Sequence, residues 1–394
     1  MRILVILLIV LLTLSCRAEK TSDSPKPDSG TIEANSEPID EPVYSESMKM
    51  QDDYATALKN WTRASRIPFN EDSIDKIVYG NGRFVATGHM RINFAYSDDG
   101  DTWHAVSPNI FGNNDSAKGI AFGNGRFVAA AYGDKIAYSD DGETWTLVEK
   151  SHLGKNSIYR ITYGNGCFVA VGYNSHQRNG VIGYSNDGET WTLVEDGSLG
   201  VEIFYCIAYG NKQFIAGGGD GKAAYSSDGR TWTVVPGSPF EDKDVRIITY
   251  GNGRFVAFCS YFQGYNPLVT YSDDGINWRP VAEPPFYRYP IYNIVYANGI
   301  FIAVSHSARM AYSFNGETWY PGSDDDAFII RPLDLEGGGD NLGGIAYGNN
   351  RFVIGRGNGG QNSSRIAWCE MPAVMIDTPL ESSDEDETGD YTVK

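Results

Sequence analysis

Tyr79-Gly80-Asn81-Gly82-Arg83-Phe84-Val85-Ala86 and, soon after it, Ser97-Asp98-Asp99-Gly100-Asp101-Thr102-Trp103 decide the fold. The first stretch returns with its aromatic residue at Phe122, Tyr163, Tyr209, Tyr250, Tyr296 and Tyr347, at spacings of 41 to 51 residues. The second returns from Ser139, Ser185, Ser226, Ser272 and Ser313. A period of this size marks a repeat architecture, and each unit supplies one supersecondary element. A typical unit reads as four short strands rich in β-branched and aromatic residues, separated by turn residues. Asn-Gly joins the first two, because a type I′ turn needs positive φ at both central positions. Asp-Gly joins the last two, and the Asp can accept hydrogen bonds from the turn amides. The expected fold is all-β: a seven-bladed β-propeller with four antiparallel strands per blade.

Tryptophans fix the blade count. Trp103, Trp145, Trp191, Trp232, Trp278 and Trp319 each mark a fourth strand. The seventh unit runs through Ile366-Ala367-Trp368 into Cys369-Glu370-Met371-Pro372 and has no such strand. Asn60-Trp61-Thr62-Arg63, ahead of the first unit, supplies it. The N-terminal strand is therefore expected to close the ring on the last blade, which also removes an exposed sheet edge. Each tryptophan is expected to pack between neighbouring blades.

The ends differ from this body. Met1-Arg2 precedes an apolar run from Ile3 to Leu12, the pattern of an export signal. Thr13-Leu14-Ser15-Cys16 resembles the lipobox of bacterial lipoproteins, with Thr13 where that family usually has Leu. The resemblance implies a lipid-modified Cys16 (palmitate among the acyl groups) and attachment to a membrane of the bacterial envelope, facing periplasm or cell surface. The expected boundaries are a signal over 1–16, a flexible tether over 17–50, the propeller over 51–375 and an acidic disordered tail over 376–394. The tether and tail are rich in polar and charged residues and offer little to bury. They carry over half of the formal charge of −18. Phosphate-backbone binding needs clustered Lys and Arg, so nucleic acid is excluded as a partner. Cys167, Cys206, Cys259 and Cys369 lie far apart in apolar runs, without metal-ligand spacing. They read as small buried residues, with a disulfide pair left open by the export signal.

The Ser-x-Asp-Gly-x-Thr-Trp turns resemble the bacterial neuraminidase repeat, or Asp-box, found in sialidases and in many non-enzymatic exported propellers. Here Asp99 touches Gly100 directly, where the usual box has an intervening residue, and Asn315 replaces the Asp in the sixth unit. The resemblance implies that these aspartates stabilise hairpins remote from any active site. No metal is expected at them, since a lone tight turn lacks the six or so oxygens that calcium takes. Sialidases also carry Arg-Ile-Pro ahead of the first blade, and Ser65-Arg66-Ile67-Pro68-Phe69 matches it. Pro239-Phe240 and Pro285-Phe286 stand at the same place in other units, so the motif reads as a linker feature.

Function is expected on one face. Turns joining strands one to two and three to four are uniform, whereas loops joining strands two to three and blade to blade vary. The variable set holds His89-Met90-Arg91, an insert from Tyr173 to Gly180, and a long loop from Gly322 to Gly344 with Asp324-Asp325-Asp326, Arg331, Asp334 and Asp340. The candidate binding residues are His176, Arg178, Tyr261, Phe262, Tyr265, Tyr287, Arg288 and Tyr289, with Gln177 and Gln263 beside them. Aromatics with Arg suit a glycan or a protein ligand, because rigid rings bury area at low entropy cost. The expected function is a lipid-anchored binding scaffold with no cofactor and no catalytic residue. The alternatives are a sialidase-like glycoside hydrolase, which needs three arginines converging at the ring centre, and an assembly factor for an envelope complex. Cys16→Ala should move the protein from the membrane to the soluble fraction on cell fractionation; retention on the membrane would exclude the anchor.

Overall fold

Four antiparallel strands form each repeat, and seven such sheets follow one another along the chain in this computed structural model. It describes residues 42–69, 73–88, 91–113, 115–194, 199–237, 239–260, 267–286, 289–320, 328–330, 333, 342–356 and 365–372. The chain divides between Ser47 and Met48 into two units. Of the first, the described part is the opening of helix α1 (Pro42–Ala57). The expected tether boundary at residue 50 falls inside this helix. The second unit holds every sheet. Cys16 and the tail lie outside the described residues, and no described helix is long and apolar enough to cross a membrane.

The first blade shows the plan: Ile74–Gly80, Arg83–Gly88, Phe94–Ser97 and His104–Ala105, in spatial order. The innermost strands of the others are Ala117–Gly123, Ser157–Gly164, Phe204–Gly210, Asp244–Gly251, Ile291–Ala297 and Leu342–Gly348. As the tryptophan count predicts, Thr62–Arg63 completes the last blade, with Thr62 opposite Trp368 and Arg63 opposite Ala367.

Consecutive blades meet through up to three kinds of contact. The first is an aromatic ring on a glycine. A Cβ on Gly123 would meet Tyr163 Cγ at 2.0 Å, and one on Gly348 would meet the Tyr79 ring at 2.2 Å. Gly80, Gly164, Gly210 and Gly251 are covered in the same way by Phe122, Tyr209, Tyr250 and Tyr296. The second is a hydrophobic cluster at each junction, holding the fourth-strand tryptophan and the second strand of the blade before it. Trp145, for instance, stacks on Phe94 of the first blade at 3.9 Å. Burying one such ring contributes about 4 kcal/mol by area, an upper bound. The third contact is a polar staple. Arg83 donates to Asp98 of its own blade at 2.6 Å and to the Asp141 carbonyl of the next at 3.0 Å. Its guanidinium also lies 4.4 Å over the Tyr96 ring. Arg126, Arg254 and Arg351 repeat the reach to the following turn, and Gln213 does so with its amide.

Those turns are built around the aspartates. Asp99 Oδ1 accepts from the Asp101 and Thr102 amides at 2.8 Å each and from the Ser97 hydroxyl at 3.0 Å. Ser97 Oγ in turn accepts from the Gly100 amide, and the Trp103 indole donates to the Gly100 carbonyl at 3.0 Å. Asp141, Asp187, Asp228 and Asp274 are held alike, and Asn315 makes the same bonds with its amide oxygen. Arg66 is exposed and engages the first turn through its backbone, its carbonyl accepting from the Trp103 amide at 2.9 Å. Phe69, Phe240 and Phe286 are buried, which is the linker role expected of the Pro-Phe pairs.

Three features depart from the sequence reading. In the sixth blade Tyr320 makes a single bridge to Tyr312, and the outer strand is Phe328–Ile329. Elsewhere the third residue after the tryptophan is Val106, Val148, Val194, Val235 or Val281, whose amide donates to the third strand. Gly322 stands there in this blade, and Ile330 takes over both the amide bond, to Ala308, and the burial. Half of the insert from Tyr173 to Gly180 is strand: Cys167–Asn174 and Asn179–Ser185 pair to their tips. The seventh blade has no aspartate turn, and the end of α1 replaces it. Trp61 donates its indole to the Leu58 carbonyl three residues back at 2.8 Å, as Trp103 does to Gly100. Tyr54 and Leu58 join the cluster between the sixth and seventh blades, and the Tyr54 hydroxyl donates to the Asn298 carbonyl at 2.6 Å. The four cysteines are buried free thiols.

Burial opposes ionisation of Asp99, Asp141, Asp187 and Asp228, but the turn amides and the serine hydroxyl outweigh it and hold each carboxyl below the usual range. Asp274, with Asn277 added, is brought to about 2. A carboxylate with a depressed folded pKa contributes stability that is complete above the unfolded value, about 4. That stability is lost as pH falls through the folded value. Asp141→Ala should cost about 2 kcal/mol at pH 7. Asp141→Asn should cost a fraction of that, because Asn315 shows the amide serving, and should reduce the loss of stability between pH 4 and pH 2. Urea unfolding across that window measures both.

Candidate functional site

All seven innermost strands carry a register break near their start, on the face of the variable loops. The shifts fall at Ile74/Lys76, Ala117/Gly119, Ile158/Arg160, Phe204/Cys206, Val245/Ile247, Ile291/Asn293 and Leu342/Ile345. A bulge leaves one residue unpaired and re-aims its side chain. The unpaired residues are Asp75, Lys118, Tyr159, Tyr205, Arg246 and Tyr292, with Gly343-Gly344 in the seventh blade. Six polar or aromatic side chains thus form a collar at the mouth of the central channel, open at the glycine pair. A Cβ on Gly343 would meet the Ile74 carbonyl oxygen at 1.8 Å, so no side chain fits there.

Neighbours in the collar pair off. Lys118 Nζ lies 2.9 Å from Asp75 Oδ2. Arg246 pairs with Asp244 and lies 4.0 Å over the Tyr205 ring. Burial raises the Tyr159 phenol, and Tyr132, Tyr205 and Tyr173 within electrostatic reach raise it further. Burial also raises Tyr205 and Tyr292. These phenols stay protonated at neutral pH. They can stack and exchange hydrogen bonds. Tyr132, 40% exposed, and Tyr173 extend the collar outwards from the second and third blades. Four tyrosines from three consecutive blades therefore form one arc.

Pairing resumes after the break at Lys76, Gly119, Arg160, Cys206, Ile247, Asn293 and Ile345. Lys76 and Arg160 are half-buried. Burial lowers the Lys76 ammonium well below its ordinary value, Arg160 lowers it further, and Asp75 only partly opposes this.

The residues chosen from sequence are distributed differently. His176 and Arg178 are exposed at the tip of the third blade's long hairpin. Asn174 Oδ1 accepts from the His176 and Gln177 amides at 2.9 Å each, and Arg178 has φ of 55°. Those bonds shape the turn. Tyr289 lies elsewhere on the face, under the Arg309 guanidinium at 4.2 Å and stacked on His306 at 6.0 Å. Tyr261, Phe262, Tyr265, Tyr287, Arg288 and the acidic run at 324–326 lie outside the described residues. The collar itself was missed. Its signal was the recurrence of charged or aromatic residues near the start of otherwise apolar innermost strands. Those strands contain two arginines, Arg160 and Arg246, not the three of the sialidase alternative. Among the described residues no group of three or more His, Cys, Asp or Glu is arranged to hold a metal ion.

No family model and no curated protein matches the chain. Solved structures do. A structure of YCF48 bound to a D1 peptide superposes with a TM-score of 0.58 at 12% identity, over 79% of this chain and 97% of that one. YCF48 from Cyanidioschyzon merolae gives 0.56 at 16% identity, over 79% and 98%. A catalytically inactive virginiamycin B lyase from Staphylococcus aureus, solved with quinupristin, gives 0.60 at 12% identity, over 79% and 99%. At these identities the likeness is one of fold, shared by proteins that bind and proteins that catalyse.

Proposed function

We propose that this protein is an exported, lipid-anchored binding scaffold that holds a partner polypeptide of the cell envelope at the collar. The observation that carries the reading is the arc of Tyr132, Tyr159, Tyr173 and Tyr205, continued by Arg246 over Tyr205. Tyrosine and arginine are the residues in which binding energy concentrates at protein interfaces. They lie at the end of the innermost strands where the loops vary, with Tyr132 exposed, while the opposite face is taken up by the staples between blades. A propeller of the same fold with a bound peptide supports polypeptide as the ligand class. An assembly-factor role is the same reading with a complex subunit as the partner. Glycoside hydrolysis fits less well, since the innermost strands lack the third arginine.

The lipobox at Cys16 and the polar segment after it support display from a membrane, with the propeller held off the surface. Capture of envelope proteins on immobilised full-length protein, followed by mass spectrometry, should give a partner whose recovery falls at least tenfold with Tyr132→Ala/Tyr173→Ala. Each truncated anchor is worth about 2 kcal/mol at a hot spot. Unchanged recovery, or loss only on changing Arg178 and Tyr289, would refute the collar as the site. Binding on a glycan array in place of protein capture would refute the polypeptide.

A further inference from the structure

Below the tyrosine arc, two cations point to a second binding feature. Lys76 and Arg160 occupy equivalent positions on the innermost strands of the first and third blades, each just after its bulge. Gly119 holds that position in the blade between them, so that blade adds no side chain there. A Cβ there would already press on the Arg160 backbone at 3.2 Å. Both cations are half-buried.

Neither has a carboxylate of its own. Asp75, the nearest acid, is engaged by Lys118 at 2.9 Å. Among the described residues Lys76 makes no hydrogen bond or ion pair, and Arg160 makes one bond, from Nη1 to the Tyr159 carbonyl at 2.8 Å. Elsewhere the protein does pair its semi-buried arginines: Arg83, Arg126, Arg254 and Arg351 each carry at least one carboxylate. Desolvated like charges held near one another cost stability unless something neutralises them. Burial, Arg160 and Lys118 disfavour the charged form of Lys76, and Asp75 opposes them only in part.

We propose that Lys76 and Arg160 form an oxyanion site in the central channel, which takes a carboxylate or phosphate group presented through the mouth. A guanidinium offers a bidentate fork to such a group, and an ammonium offers a compact second charge. The proposal does not depend on the polypeptide reading, because a free anion can occupy the site.

Thermal unfolding of the full-length protein, titrated with inorganic phosphate or with acetate and balanced with chloride to constant ionic strength, tests it. A ligand that binds the folded state raises the melting temperature with its concentration. The wild type should show a saturable rise with at least one of the two, and the effective anion identifies the group. Lys76→Met and Arg160→Met should each weaken the response at least tenfold. Without anion, Lys76→Met should melt no lower than wild type, because it removes an unneutralised charge. Should a Met variant fail to fold, Lys76→Arg and Arg160→Lys keep the charge and should keep the response. Arg230→Met, on the opposite face beside Asn186 and Tyr184, should leave it intact. Tyr132→Ala/Tyr173→Ala should also leave it intact, so this test and that of the partner site fail separately. No anion-specific rise in the wild type, or an equal rise in Lys76→Met, would overturn the proposal.

Discussion

An aromatic ring lying on a glycine of the preceding blade is the contact on which the ring depends. With Tyr163 Cγ 2.0 Å from where a Gly123 Cβ would be, no other residue fits the hairpin end without moving the next blade. That distance sets how closely these consecutive innermost strands approach. The tryptophan clusters and arginine staples act further out along the same radius. Asn81 and Arg83 belong to the hairpin that ends in Gly80, and both reach the turn of the following blade. One short sequence, Tyr-Gly-Asn-Gly-Arg, thus does the work of turn, spacer and staple.

The sixth blade shows the consequence of altering that sequence. It reads Tyr296-Ala297-Asn298-Gly299-Ile300, with alanine for the glycine and isoleucine for the arginine. The seventh blade, which the staple would reach, has no aspartate turn to receive it. Both losses fall at the junction where the chain closes on itself, and α1 covers that junction. Tyr54 bonds to Asn298, Tyr347 donates to Asn298 Oδ1 at 3.0 Å, and Trp61 finds in Leu58 the carbonyl that a turn glycine gives elsewhere. The helix is thus part of the ring, making up by packing for the losses in the last repeat.

Much of this was legible in the sequence, because repetition multiplies weak local signals. Asn-Gly, Asp-Gly and tryptophan at a constant period identify blade number, strand number and ring closure, and Trp61 could be counted before its partner strand was known. The features that escaped are those that do not repeat. The role of α1 rests on Tyr54, Leu58 and Trp61 sharing one side of a chain segment, which means little until the seventh blade is seen to lack its turn. The outer strand of the sixth blade moved because Gly322 lacks the side chain that Val106, Val235 and Val281 bury. The collar escaped for another reason. Asp75, Lys118, Tyr159, Tyr205, Arg246 and Tyr292 are in plain view, but strand alternation assigns them to no shared surface. Only the bulge, a property of pairing between strands, brings them to the mouth. Sequence variation drew attention instead to loop tips such as His176 and Arg178, whose neighbours are engaged in shaping a turn.

Rim and centre bear different loads. Staples, clusters and glycine contacts recur at the junctions, so stability is spread over many like interfaces rather than held in one core. Such a ring tolerates an unfavourable centre, and strained or unneutralised groups persist where the surrounding structure over-determines them. Lys76 and Arg160 are held in the part of the fold best able to bear them, on innermost strands that resume regular pairing just after the bulge. The bulges that expose the collar interrupt pairing at the start of the innermost strands, away from the hairpins and their glycines. Changes at the mouth can therefore alter the bound ligand while the contacts that define the ring stay in place.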